Sequence, residues 1–103
     1  MLEKREFYIN GKWVAPAVAN DFHVINPSTE EPCAVISLGS EADTNAAVAA
    51  AKAAFPAWMA TPVAERIALV EKLVEVYSRR GEDLAQAMSL EMGAPIDMSR
   101  TQQ

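Results

Sequence analysis

Cysteine is nearly absent. Cys33 is the only one among 103 residues, so no internal disulfide can form and a reducing, cytoplasmic setting is expected. Histidine is equally scarce: His23 stands alone, and by itself it makes neither a metal cluster nor half of a nucleophilic triad. The four glycines, Gly11, Gly39, Gly81 and Gly93, are too dispersed for a G-x-G-x-x-G turn or a P-loop, so no phosphate cradle is expected. No stretch approaches the roughly 20 consecutive apolar residues of a membrane-spanning helix. The mixed charges of Met1–Glu6 lead into no apolar run, so neither a secretory signal nor a membrane partner is expected. Basic residues are the minority, 9 against 14 acidic, for a net charge of −5. They are not clustered either, which argues against a nucleic-acid partner, because phosphates would be repelled.

What is present is apolar. Hydrophobic residues make up 50% of the chain and charged residues 22%, which excludes a disordered or collagen-like chain. The length suits one small domain, able to bury roughly 60–65% of the surface its unfolded form exposes.

The first forty residues read as strands. Asn10-Gly11 separates Phe7–Ile9 from Lys12–Val14, and this dipeptide tolerates the positive φ at both central positions that a type I′ hairpin turn requires. Pro16 interrupts the second strand. Phe22–Asn26 and Cys33–Leu38 form two more extended runs, parted by Pro27-Ser28-Thr29 and opened by Pro32, and read as a second hairpin.

The pattern then turns helical. Ser40-Glu41-Ala42-Asp43 resembles a capping box. Between Asn45 and Pro56, nine of twelve residues are Ala, Val48 or Phe55, with Val48, Ala51, Phe55 and Trp58 on one face. Pro56 predicts a helix end near Phe55. Thr61-Pro62 predicts an N-cap followed by a proline at the first helical position. From there to Arg80, Ile67, Leu69, Val70, Leu73, Val74, Val76 and Tyr77 fall within half of the helical wheel, and Glu75 and Arg79 form an i,i+4 pair. Gly81 breaks the run, Glu82-Asp83 restart it, and Gly93 and Pro95 stop it. Ile96–Gln103 reads as the first turns of another helix with no stop signal. The fold class is α+β: two short hairpins over about 7–38, then three to four helices over about 41–103.

In this order and spacing the chain resembles the N-terminal portion of the NAD(P)-dependent aldehyde dehydrogenases. The resemblance rests on Tyr8–Trp13, Phe22–Glu31, Asp43, Ala46–Trp58, Pro62–Arg66 and Leu90–Pro95. At two places the chain departs from the family's usual pattern: Glu30-Glu31 stands where glycine is common, and Ala94 where lysine is common. The resemblance implies that residues 1–103 are the N-terminal portion of the cofactor-binding domain of a larger α/β enzyme. That enzyme would use NAD or NADP to oxidise an aldehyde to a carboxylic acid through a cysteine thiohemiacetal, and would be a homo-oligomer.

That chemistry needs a thiolate, oxyanion donors, a carboxylate base and a cofactor-binding βα turn. The family carries all of these downstream of the matched region, so no catalytic and no cofactor-binding residue is assigned here. No cofactor is expected on this chain alone. Cys33 follows Pro32 and two acids, with no basic neighbour to activate it; a structural role in a strand is expected. The acid pairs Glu30-Glu31 and Glu82-Asp83 read as a solvated turn and a helix start. The resemblance implies one site, a monovalent cation held by the backbone carbonyl of Ile25 and the carboxylate of Glu91. A free-standing, non-catalytic helical interaction module is the alternative reading, and the unfinished last helix favours the first. Two hairpins cannot cover three amphipathic helices, so Leu69, Leu73, Val76, Tyr77, Met88 and Met92 are expected to form an apolar surface open to another copy or to the rest of the enzyme.

Overall fold

The computed structural model describes residues 1–102. Its elements, in chain order, are β1 (Leu2–Lys4), β2 (Phe7–Ile9), β3 (Lys12–Val14), β4 (Asp21–Ile25), β5 (Pro32–Ser37), α1 (Glu41–Ala60), α2 (Val63–Arg79), α3 (Gly81–Met92) and α4 (Ile96–Thr101). They divide into two compact units, one built from residues 1–24 and 32–60 and the other from residues 25–31 and 61 onward.

In the first unit, β2 and β3 form the expected antiparallel hairpin, pairing Phe7 with Val14, Tyr8 with Trp13 and Ile9 with Lys12. Asn10 and Gly11 have φ of +53° and +78°, as a type I′ turn requires. The rings of Tyr8 and Trp13 meet edge to face at 5.2 Å, a favourable cross-strand aromatic geometry.

The second pair of strands belongs to a larger sheet than the sequence suggested. Its order is β1-β5-β4, with Leu2, Glu3 and Lys4 running parallel to Ala34, Val35 and Ile36. The mixed charge of β1 gives no strand signal. Its side chains are exposed; main-chain pairing with β5 holds it, and Arg5 links Glu3 of β1 to Asp21 of β4. Central position explains why β5 carries the buried Ala34, Val35 and Ser37.

A reciprocal capping box opens α1, as expected. The Ser40 hydroxyl accepts from Asp43 N–H at 3.3 Å, while Asp43 Oδ2 accepts from Ser40 N–H at 2.9 Å and from its hydroxyl at 2.8 Å. Asp43 Oδ1 also accepts from Ala17 N–H at 2.9 Å. These three donors hold the Asp43 carboxyl below the usual carboxylate range, Ser40 N–H contributing most and Ala17 N–H next. The expected stop at Pro56 is not observed: α1 continues through it to Ala60. Proline cannot donate to the carbonyl of Lys52. All of residues 51–60 are exposed, so water can satisfy that carbonyl and the helix loses only one bond.

In the second unit α2 starts one residue later than expected. Pro62, at φ −53° and ψ 144°, is the cap, and its carbonyl accepts from Glu65 and Arg66 N–H, both at 3.1 Å. The Glu75–Arg79 pair forms at 3.8 Å and Lys72 joins it at 2.8 Å; such exposed pairs contribute little. Gly93 ends α3 in the left-handed conformation, φ +72°. Ala85 of α3 and Ser99 of α4 are fully buried, and Ser89 ties the two helices by donating to Ala94 O at 2.7 Å and lying 3.4 Å from Ser99 Oγ.

No residue of α2 is buried. Of the six side chains expected to form an apolar surface, Leu69, Leu73, Tyr77 and Met92 are exposed, while Val76 and Met88 are half-buried.

Candidate functional site

The proposed ligand Ile25 closes β4 and leads into a tightly hydrogen-bonded turn. Asn26 N–H donates to Glu31 O at 3.0 Å, Glu30 N–H donates to Asn26 O at 2.8 Å, and Asn26 Oδ1 accepts from Ser28 N–H at 2.9 Å. This Asx geometry is what Asn-Pro-Ser favours. It requires φ of +61° at Glu30, a region where glycine is at ease and glutamate is strained. The departure noted in the sequence therefore falls on a strained residue.

Glu91 stands in the last turn of α3, exposed to solvent. Two residues on, Gly93 lies so close to Pro27 that a Cβ added to it would sit 3.0 Å from Pro27 Cγ. The turn after Ile25 and the turn after Glu91 meet at this contact. Ile25 offers only its carbonyl oxygen and Glu91 its carboxylate, both hard donors suited to a monovalent cation. Two donors do not complete a coordination shell. Among the described residues no group of three or more His, Cys, Asp or Glu could hold a metal ion.

The strongest electrostatic feature lies on the same helix and was missed by the sequence reading, which treated Glu82 only as a helix-start acid. Arg100 of α4 grips it in fork geometry, Nε to Oε2 at 2.9 Å and Nη2 to Oε1 at 2.8 Å. Gln86 donates to Oε1 at 2.7 Å. Together they pull the Glu82 pKa down to about 2, Arg100 being the larger cause. Eighteen residues separate the partners, so no helical period announces the pair. Asp83 faces Arg80 at 3.2 Å, so both acids at the start of α3 are engaged in ion pairs.

Cys33 is half-buried in β5 and donates its thiol to Val24 O at 3.4 Å, the structural placement expected of it. His23 is exposed on β4. Two buried polar atoms among the described residues lack a hydrogen-bond partner, Ser37 Oγ and Arg66 Nε. A shallow apolar groove of about 390 Å³ runs between α2 and α3, lined mainly by Leu73, Tyr77, Leu84 and Ala87. No helix among the described residues is long and apolar enough to cross a membrane.

Comparison with known proteins identifies the family behind this architecture. Residues 13–103 match the Aldehyde dehydrogenase family. The structure superposes on aldehyde dehydrogenase from Bartonella henselae with a TM-score of 0.96 and 54% identity, covering 98% of this chain and 21% of that one. Aldehyde dehydrogenase C from Pseudomonas syringae, solved with NAD+ and octanal, gives a TM-score of 0.91 at 46% identity, over 93% of this chain and 20% of that one. A curated relative, 3-succinoylsemialdehyde-pyridine dehydrogenase from a Pseudomonas species, is 42% identical over 96 residues, 93% of this chain and 20% of its own length. The chain belongs to the aldehyde dehydrogenase family and corresponds to its N-terminal segment. It spans about a fifth of the length of the relatives it matches.

Proposed function

We propose that this chain is the N-terminal part of the cofactor-binding domain of an NAD(P)-dependent aldehyde dehydrogenase, and that it is catalytically silent by itself. The whole enzyme oxidises an aldehyde to a carboxylic acid through a thiohemiacetal on a cysteine outside these residues, acts in the cytoplasm and assembles as a homo-oligomer. The match to the family over residues 13–103 carries this reading. The residue chemistry agrees with it: Cys33 is tied to Val24 O, and the four glycines are too dispersed in the sequence for a G-x-G-x-x-G turn.

The part these residues play is then architectural. The Asn26–Glu31 turn and the end of α3 hold the Ile25 carbonyl and the Glu91 carboxylate on adjoining segments through the Pro27–Gly93 contact. In this reading the two oxygens contribute to a monovalent-cation site that further donors of the enzyme complete.

The test is direct. Purified chain, incubated with NAD or NADP and a panel of aldehydes, should produce no reduced-cofactor absorbance and bind neither cofactor in titration calorimetry. The same residues joined to the downstream four-fifths of the Bartonella henselae relative should restore cofactor reduction. Turnover by the chain alone, surviving purity controls, would overturn the proposal, as would an inactive but folded whole.

A further inference from the structure

Arg66 occupies an unusual place on α2. At about 100° per residue, it falls between Tyr77 and Leu73, near the middle of the arc that holds Ile67, Val70, Val74 and Leu69. Those apolar neighbours are exposed, Leu73 at 65% and Val74 at 57%. Arg66 itself is half-buried, and its Nε–H is sealed from solvent with no acceptor. Its own helix cannot help. Positions three and four away are Val63, Leu69, Pro62 and Val70, so no carboxylate shares its face. Glu75, the nearest acid on a later turn to form ion pairs, is engaged by Lys72 and Arg79.

A guanidinium centred in an apolar stripe restricts what can cover that stripe. Burying it without an acceptor is costly, because a charged donor loses water and gains nothing. A second copy of α2 is a poor cover. In a two-fold pairing the centre of the patch meets itself, which would place two Arg66 groups together in a desolvated seam. The cover must be apolar around its edge and carry an oxygen acceptor at its centre. The chain spans about a fifth of the length of its relatives, and in the whole enzyme proposed above the portion outside these residues supplies such a surface.

From this placement we infer that the α2 face around Arg66 is a docking surface for the downstream portion of the same aldehyde dehydrogenase. That portion anchors it with a carboxylate or main-chain carbonyl accepting from the Arg66 guanidinium. The inference rests on the reading of the chain as one part of a whole enzyme. It adds a specific anchor: Arg66 is a positioning residue for assembly, idle in the isolated segment and engaged in the whole.

The experiment compares Arg66→Met and Arg66→Lys in two settings, the 103-residue chain and a graft of it in place of the matching segment of the Bartonella henselae enzyme. In the isolated chain Arg66→Met should leave the melting midpoint unchanged or raise it, since no hydrogen bond is lost. It should also strengthen self-association in sedimentation at rising concentration, because the central charge is gone. In the graft the same substitution should lower the midpoint by several degrees, and Arg66→Lys should recover part of that loss. An equal loss in both settings, no loss in the graft, or unchanged sedimentation of the isolated variant would each overturn the assignment. Should the Arg66→Met graft not fold, the Arg66→Lys graft decides: a midpoint below that of the unsubstituted graft supports the anchor, and an equal midpoint overturns it. Aldehyde oxidation by the graft is read separately: a folded graft that docks through Arg66 but is inactive counts against the proposed activity and leaves the anchor standing.

Discussion

Replacing Gly93 with alanine tests the contact on which the candidate cation site depends. Gly93 sits at φ +72°, and an added Cβ would lie 3.0 Å from Pro27 Cγ. A non-glycine residue in the left-handed region costs about 1–2 kcal/mol. Crowding a ring carbon at that distance adds about 1 kcal/mol, because either the Pro27 turn or the end of α3 must shift. The expected loss is about 2–3 kcal/mol. Gly11 supplies the control. Its φ is +78°, yet nothing lies within 4 Å of the Cβ position, so Gly11→Ala should lose only the conformational part, about 1–2 kcal/mol. Urea denaturation read by hydrogen exchange, at α3 amides for one variant and β2 amides for the other, gives the two losses separately. In the whole enzyme Gly93→Ala should also weaken monovalent-cation binding, since the Pro27 turn carries the Ile25 carbonyl, while Gly11→Ala should not. If Gly93→Ala costs no more than Gly11→Ala, the steric part of this reasoning is wrong.

Glu30→Gly should stabilise the chain by about 0.5–1 kcal/mol, because relief of the left-handed strain at φ +61° exceeds the added entropy of an unfolded glycine; equal or lower stability in urea would contradict it. The Glu82–Arg100 fork predicts a pH dependence of α3–α4 docking. The folded pKa of about 2 lies below the ordinary 4.5, so the stabilisation is fully present above about pH 4.5 and is lost as pH falls towards 2. Glu82→Gln should flatten that acid limb in backbone-amide NMR of α4, and an unchanged limb would show that the pair is not responsible. Cys33 should react with a thiol reagent at least tenfold more slowly in the folded chain than in urea, being half-buried and bonded to Val24 O, and equal rates would refute its structural placement.

Local grammar determined much of this protein from the sequence alone. The Asn10-Gly11 turn, the Ser40–Asp43 capping box and the stop at Gly93 each depend on residues within four positions of one another, and the structure holds all three; the break expected at Gly81 falls one residue earlier, at Arg80, and Gly81 opens α3. Where local rules were misleading, solvent or pairing had the deciding vote. Pro56 does not end α1 because its surroundings are wet, and Leu2–Lys4 becomes a strand because β5 offers a free edge. For the site, Ile25 and Glu91 were named by family likeness, but only the tertiary structure brings Pro27 against Gly93. Glu82 and Arg100 are eighteen residues apart, and no periodicity links them. The same holds for Arg66. Its position on the apolar face is written in the helical period, whereas its missing acceptor is visible only once every neighbour has been placed, because satisfaction of a buried donor is a property of the packed whole.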